Sequence, residues 1–400
     1  MGELLLSQVT LPNGTGPTDI LIRDGRIAEI GKDLARGGAL VEELAGHTVL
    51  PAFTDAHVHV DKTVWGSDRW LPTVTGTIAE KIAHNAQIRE EWGIPNPVYI
   101  ANLLDQMVAC GSTRIRSHAD VDPVMGLRSV EAVREVAEKF AGMLDVEIVA
   151  FPQQGLISKP GVSDLIREAT SVGATVIGGI DPAGIDGDPV ASLNELFTLA
   201  TSTHSGIDIH MHDHGALGAW EIELICERTI AEGMQGKVTL SHPHALGEAE
   251  GAERDRLVEL VARAGVNVVT MVSFNFPVLP LRELVAAGAT VALGNNSIRN
   301  TWSPFGTGDM LQRAMIAATR YEANDDKQLS WILSLVTEGG AALMGVERPV
   351  IEVGAPADLV LVKALNEYDA VVTTPPRRLV LKNGIPVARD GLSLRNEGAH

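Results

Sequence analysis

Ala52-Phe-Thr-Asp-Ala-His-Val-His-Val60 is the stretch on which the fold reading turns. It is an apolar run of strand length with His57 and His59 at its far end, and residues two apart on an extended strand face the same way. On a helix these imidazoles would diverge, whereas on a strand both can reach one metal ion. A lone His-x-His is more readily read as two incidental strand histidines, so the pair needs support from the rest of the chain. Working outward, similar runs recur at Ser112–His118, Val146–Phe151, Thr175–Asp181, Ile207–His212, Lys237–His242, Val266–Val272 and Thr290–Asn295. Amphipathic stretches such as Glu131–Leu144 and Leu193–Thr203 separate them. This alternation predicts an α/β fold, a (β/α)8 barrel of TIM type in preference to an open doubly wound sheet.

The two chain ends read differently. Asp19 to Gly31 alternates apolar and polar residues around Asp24-Gly25, and Ala357–Val362 with Arg378–Val387 repeats the pattern around Asn383-Gly384. Both are hairpin signatures. Neither piece can bury a sheet face alone, so residues 1–50 and 347–400 are expected to pair into one small β-sandwich beside a barrel of residues 51–346. Asn396–His400 reads as a disordered tail.

The chain has 400 residues, 45% of them hydrophobic and 21% charged, a soluble globular balance. Lys and Arg number 32 against 51 Asp and Glu, a net charge of −19 that repels phosphate backbones and anionic lipid, so neither nucleic acid nor membrane is an expected partner. Cys110 and Cys226 cannot form a disulfide framework, and the N-terminus lacks the basic, apolar pattern of a leader. The expected compartment is the cytoplasm.

The informative residues stand at the ends of the strand runs, which in a barrel converge on the active site. Besides His57 and His59 these are His118, the cluster His210-Met-His212-Asp-His214, and His242-Pro-His244, drawn from 12 histidines in all. Incidental core histidines would not collect there. A divalent-metal site is the better reading, with neutral imidazoles suiting zinc or iron and hydrolysis by an activated water as the natural chemistry. Asp213, beside the metal histidine, is either a proton shuttle or a partner that orients an imidazole. His242 is either a stabiliser of the tetrahedral intermediate or a structural histidine.

Pro51 to Lys62, Ser117-His-Ala-Asp-Val-Asp122, Val149-Ala-Phe-Pro-Gln153-Gln-Gly155, Gly179-Ile-Asp181-Pro-Ala, His210-Met-His212-Asp213 and Ile298-Arg-Asn-Thr-Trp302-Ser-Pro-Phe-Gly306 occur in this order. Together they resemble the cytosine deaminase branch of the amidohydrolase superfamily, and within it the triazine-degrading members. The resemblance implies a distorted barrel flanked by a β-sandwich, one catalytic metal ion, a homo-oligomer, and hydrolytic loss of ammonia or an alkylamine from a small nitrogen heterocycle. It implies His57, His59 and His210 as metal ligands, Gln153 as the amide that reads the heterocycle edge, and His242 as the electrophilic histidine. Lys62, Trp65, Asp181, His212 and Trp302 are then expected to bind substrate; the alternatives are that Trp302 packs under the following loop and that Lys62 pairs with a neighbouring acid. Binuclear relatives carry a carboxylated lysine on strand four, and Thr175–Asp181 contains none.

Two positions depart from the family pattern. Asn296 stands where the family places a metal-binding aspartate, and Asn300 where an aspartate is usual. An asparagine carbonyl can coordinate, but it is neutral and cannot take a proton from water. One rival expectation follows, a heterocycle-binding homologue that Asn296 has disabled; another, a hydrolase of ring amide bonds, rests on metal-activated water serving both kinds of bond.

Overall fold

A computed structural model describes residues 2–71 and 74–395; the expected tail Asn396–His400 lies outside them. The N-terminal strands β1 (Leu4–Val9), β2 (Thr18–Arg23), β3 (Arg26–Gly31) and β4 (Leu40–Glu43) form one sheet in the order β3-β2-β1-β4. The next strand, β5 (Thr48–Pro51), leaves this sheet and joins the C-terminal strands instead.

The barrel strands are β6 (Phe53–Val58), β7 (Ser112–Asp120), β8 (Asp145–Phe151), β9 (Val176–Ile180), β10 (Gly206–His210), β11 (Val238–Ser241), β12 (Asn267–Thr270) and β13 (Val291–Leu293). They form one 8-stranded sheet in sequence order, with every pairing parallel. Each expected run therefore carries a strand. A parallel bridge between Val58 and Asn296 joins the first strand to the end of the last, closing the barrel. Closure depends on Gly294, where a Cβ would lie 2.5 Å from the His57 carbonyl oxygen.

The remaining strands, β14 (Leu359–Val362), β15 (Arg377–Lys382), β16 (Ile385–Arg389) and β17 (Leu392–Ser393), complete a sheet in the order β17-β16-β15-β14-β5. Alternation gives this sheet two jobs. Leu359, Leu361, Leu379 and Leu381 pack on Leu4, Leu6, Ile20 and Ile22 of the other sheet, while Val360, Val362 and Val380 face the barrel core. Each fully buried Leu contributes about 1.5–3 kcal/mol. Both hairpins turn as expected: Asp24 and Gly25 have φ of 51° and 78°, and Asn383 and Gly384 have 49° and 72°. Left-handed conformation at both central residues is what the type I′ turn demands.

Helix limits shift from the sequence reading. The helix expected over Glu131–Leu144 runs Arg128–Glu138, after which the chain turns through Gly142 (φ 81°) so that Phe140 and Leu144 are buried. The helix expected from Leu193 begins at Pro189, because the Asp188 side chain accepts from Ala191 N–H at 3.0 Å and proline fits the first helical position. Among the described residues no helix is long and apolar enough to cross a membrane.

Candidate active site

Strand direction brings five imidazoles to the C-terminal mouth of the barrel: His57 and His59 at the end of β6, His118 on β7, His210 ending β10 and His242 just past β11. All are buried. The His57 ring centroid lies 5.3 Å from His59, 4.0 Å from His118, 4.7 Å from His210 and 4.6 Å from His242. His59 Nε2 faces His210 Nε2 at 3.2 Å. The ligand atoms offered by His57, His210 and His242 lie within 4.8 Å of one another. Geometry thus groups His242 with His57 and His210, two of the three ligands that the family motif assigns, while His59 joins them through His210.

Burial, reinforced by neighbouring positive groups, lowers the pKa of each; His57 falls to about 3. Neutral rings keep a lone pair. His57 Nε2, His210 Nδ1 and both nitrogens of His242 are buried without a hydrogen-bond partner. Buried polar atoms are seldom left so, and a cluster of neutral imidazole nitrogens suits a borderline divalent cation. The donor set fits a metal.

Asn296 belongs to the same place. Its N–H donates to the His57 carbonyl at 2.7 Å and its own carbonyl accepts from His59 N–H at 2.8 Å, so barrel closure locks it between the two histidines. Its φ of 60° is a conformation asparagine tolerates well. Its side-chain Nδ2 lies 3.1 Å from Met271 Sδ.

Beside the histidines lies a buried polar pocket. Lys62 Nζ pairs with Asp120 Oδ1 at 2.8 Å and sits 3.5 Å from His59 Nδ1, so the expectation of an acid partner is met without removing Lys62 from the site. With its amide oriented to satisfy both atoms, Gln153 donates to Asp120 Oδ2 at 3.2 Å and accepts from Lys62 Nζ at 2.5 Å. Burial raises the Asp120 carboxyl to about 7 while Lys62 opposes the shift. Lys62 also lies 5.9 Å from the Trp302 ring, whose buried Nε1 lacks a partner. Asn300 Oδ1 accepts from Trp302 N–H at 3.0 Å and Ser303 N–H at 3.2 Å, a turn that holds the tryptophan in place. Either asparagine or aspartate can supply that oxygen. Trp65 packs on the barrel core with the Arg299 guanidinium 5.7 Å from its ring centroid.

A second tier lines the mouth. His212 Nδ1 lies 2.8 Å from Asp181 Oδ2, and its N–H donates to Asp181 Oδ1 at 2.5 Å. Asp213 turns toward the loop after β9, accepting from Gly184 N–H at 2.8 Å. Burial and then the Asp181 charge raise its pKa. Glu221, wholly buried, accepts from Ala183 N–H at 2.8 Å; burial and the facing Asp213 raise it to about 8.

Asp120 and Glu221 were not singled out from sequence. Asp120 had a signal, standing two residues beyond His118 on the same face of a strand; Glu221, on a mixed helix, had none.

Comparison with known proteins gives these contacts a context. A model described as "Amidohydrolase family" matches residues 97–388. The chain is 31% identical to N-isopropylammelide isopropyl amidohydrolase of Pseudomonas sp. (strain ADP), covering 97% of this chain and 98% of that one. The crystal structure of N-isopropylammelide isopropylaminohydrolase from Burkholderia multivorans ATCC 17616 superposes with a TM-score of 0.93 at 40% identity, covering 98% of this chain and 100% of the other. That of 5-methylcytosine deaminase from Klebsiella pneumoniae, liganded with 5-fluorocytosine, gives 0.84 at 25% identity over 96% and 97%. With matching fold, strand-end histidines and end-to-end likeness, the chain belongs to the amidohydrolase family.

Proposed function

We propose that the chain is a metal-dependent aminohydrolase that removes ammonia or an alkylamine from a small pyrimidine or s-triazine. The observation that carries the reading is the convergence of His57, His59, His210 and His242 at the mouth of an amidohydrolase barrel, all buried and, His59 excepted, with ring nitrogens left unpartnered. His57, His59 and His210, with Asn296 beside them, would hold one divalent ion, zinc or iron. Such an ion, when bound, acidifies a water molecule so that it attacks at neutral pH.

The chain's own residues do the rest. Gln153 presents both amide faces to a ring with alternating N–H and C=O groups, and the Lys62–Asp120 pair fixes which face points where. Trp302 covers the ring and offers its free Nε1–H. His242 steadies the oxygen that becomes negative as the carbon turns tetrahedral. Asp213 carries the proton to the leaving nitrogen, which requires its side chain to swing from Gly184 toward the substrate. His212, oriented by Asp181, borders the departing group.

End-to-end likeness to hydrolases and deaminases favours turnover over a binding-only homologue. The test is amine or ammonia release from a panel of amino- and alkylamino-substituted pyrimidines and triazines, alongside elemental analysis. Release that stops on chelation and returns with zinc or iron is expected; release by metal-free protein overturns the reading. Product mass separates exocyclic cleavage from ring opening, which adds water and loses nothing.

A further inference from the structure

Beneath His57 the barrel interior holds a chain of hydrogen bonds that the proposed function leaves unused. His57 Nδ1 lies 2.9 Å from Ser241 Oγ, and Ser241 Oγ donates to Asp208 Oδ1 at 2.5 Å. Asp208 Oδ2 accepts from Arg116 Nη1 at 3.2 Å, and Arg116 is held in turn by Glu147 at 2.6 Å and Thr239 at 3.2 Å. Asp208 and Ser241 are fully buried, and Arg116 is 5% exposed.

A serine hydroxyl has one proton. Here it goes to Asp208, so Ser241 Oγ can only accept from His57, and Nδ1 must be the protonated ring nitrogen. The lone pair is left on Nε2, the His57 atom without a partner. We propose that Arg116, Asp208 and Ser241 are positioning residues that set the His57 tautomer and hold its Nε2 ready for the metal. The claim rests on the reading of His57 as a ligand. Outer partners of metal-bound imidazoles act this way in general, and losing one costs about 10–100-fold in metal affinity or activity.

The same neighbourhood admits another reading. His57, His118 and Asp208 also offer ligand atoms within 4.8 Å of one another, the geometry of a second cation seat. The Arg116 guanidinium already occupies the Asp208 carboxylate, however, and its positive charge opposes a divalent ion there. The set is a support, not a seat.

The test uses the full chain and zinc as the probe. Ser241→Ala and Asp208→Asn are each expected to weaken zinc binding 10–100-fold in chelator competition, while Ser241→Thr, which keeps the hydroxyl, restores it to within about threefold. A separate readout on metal-free protein is ring ¹⁵N NMR, with the His57 signal assigned by its loss in His57→Ala. Nε2 is expected to be the unprotonated nitrogen in the parent and to gain proton character in Asp208→Asn, whose amide can turn the serine hydroxyl toward the ring. If Asp208→Asn fails to fold, Ser241→Ala carries both measurements. Unchanged zinc affinity with an unchanged tautomer overturns the relay, as does a second zinc equivalent lost in His118→Ala. A parent chain that binds no zinc or iron yet shows the expected tautomer shift refutes the proposed function and the metal-holding part of the relay, and leaves only its setting of the His57 tautomer.

Discussion

Two buried polar regions occupy opposite ends of the barrel and are built on opposite principles. At the N-terminal end, where the barrel meets the sandwich, Asp358 accepts from Arg114 at 2.6 Å, from Lys382 at 3.0 Å and from Asn383 N–H at 2.6 Å, and Lys382 also reaches Asp145 at 2.6 Å. At the C-terminal mouth, His57 Nε2, His210 Nδ1 and both nitrogens of His242 have no hydrogen-bond partner. The first region joins two domains, and its carboxylate is fully used. The second leaves its lone pairs open, which a fold tolerates only where something else is to be bound. Strand β7 threads both regions: Arg114, Arg116, His118 and Asp120, two residues apart, contact the junction, the interior relay, the histidines and Lys62 in turn.

The contrast can be broken most decisively at His57. His57→Ala is expected to abolish both metal content and amine release while the far-ultraviolet circular dichroism stays that of the parent; turnover at the parental rate would mean the open nitrogens have another purpose. At the other end, Asp358→Ala removes the buried partner of Arg114 and Lys382 and leaves them only the exposed Asp145. That is expected to cost about 3–5 kcal/mol, read as a lower urea midpoint, with zinc affinity of the folded protein unchanged. If zinc affinity falls as well, the two regions are not independent.

Asn296→Asp sharpens the comparison from inside the site. Adding a carboxylate beside neutral imidazoles is expected to tighten zinc binding roughly tenfold, about 1.4 kcal/mol, in chelator competition. A smaller effect concerns Glu221. Its raised pKa means that the folded chain keeps a proton the unfolded chain has released, so this contribution to stability is complete below about 4.5 and is lost as pH climbs toward about 8. Glu221→Gln mimics the protonated form and is expected to gain ~1 kcal/mol relative to the parent at pH 8, with little gain at pH 5. Urea midpoints at the two pH values check the sign.

Much of this was legible before the structure. The barrel strands were readable because an apolar run with a polar end is a local pattern, and both hairpins because Asp-Gly and Asn-Gly supply the left-handed pair on the spot. Helix limits were less so, since tertiary burial of Phe140 and Leu144 overrode continued helical periodicity. Within the site, the histidines announced themselves by clustering at strand ends. Ser241 did not: it read as the residue before His242, and only its 2.5 Å bond to Asp208, 33 residues earlier in the chain, gives it a part. Asp213, beside the metal histidine in sequence, was read as a proton shuttle or an orienting partner, and its observed contact with Gly184 depends on a loop whose path no local pattern describes.

By itself the sequence determined the barrel, the sandwich drawn from both ends, and the histidines that point one way on each strand, because side-chain direction and turn preference act over a few neighbouring residues. Only the tertiary structure decided which imidazole nitrogen is left free, that Asn296 is locked between His57 and His59, and which polar groups stand beneath them. Those facts depend on distances between strands far apart along the chain, and these are set by barrel closure.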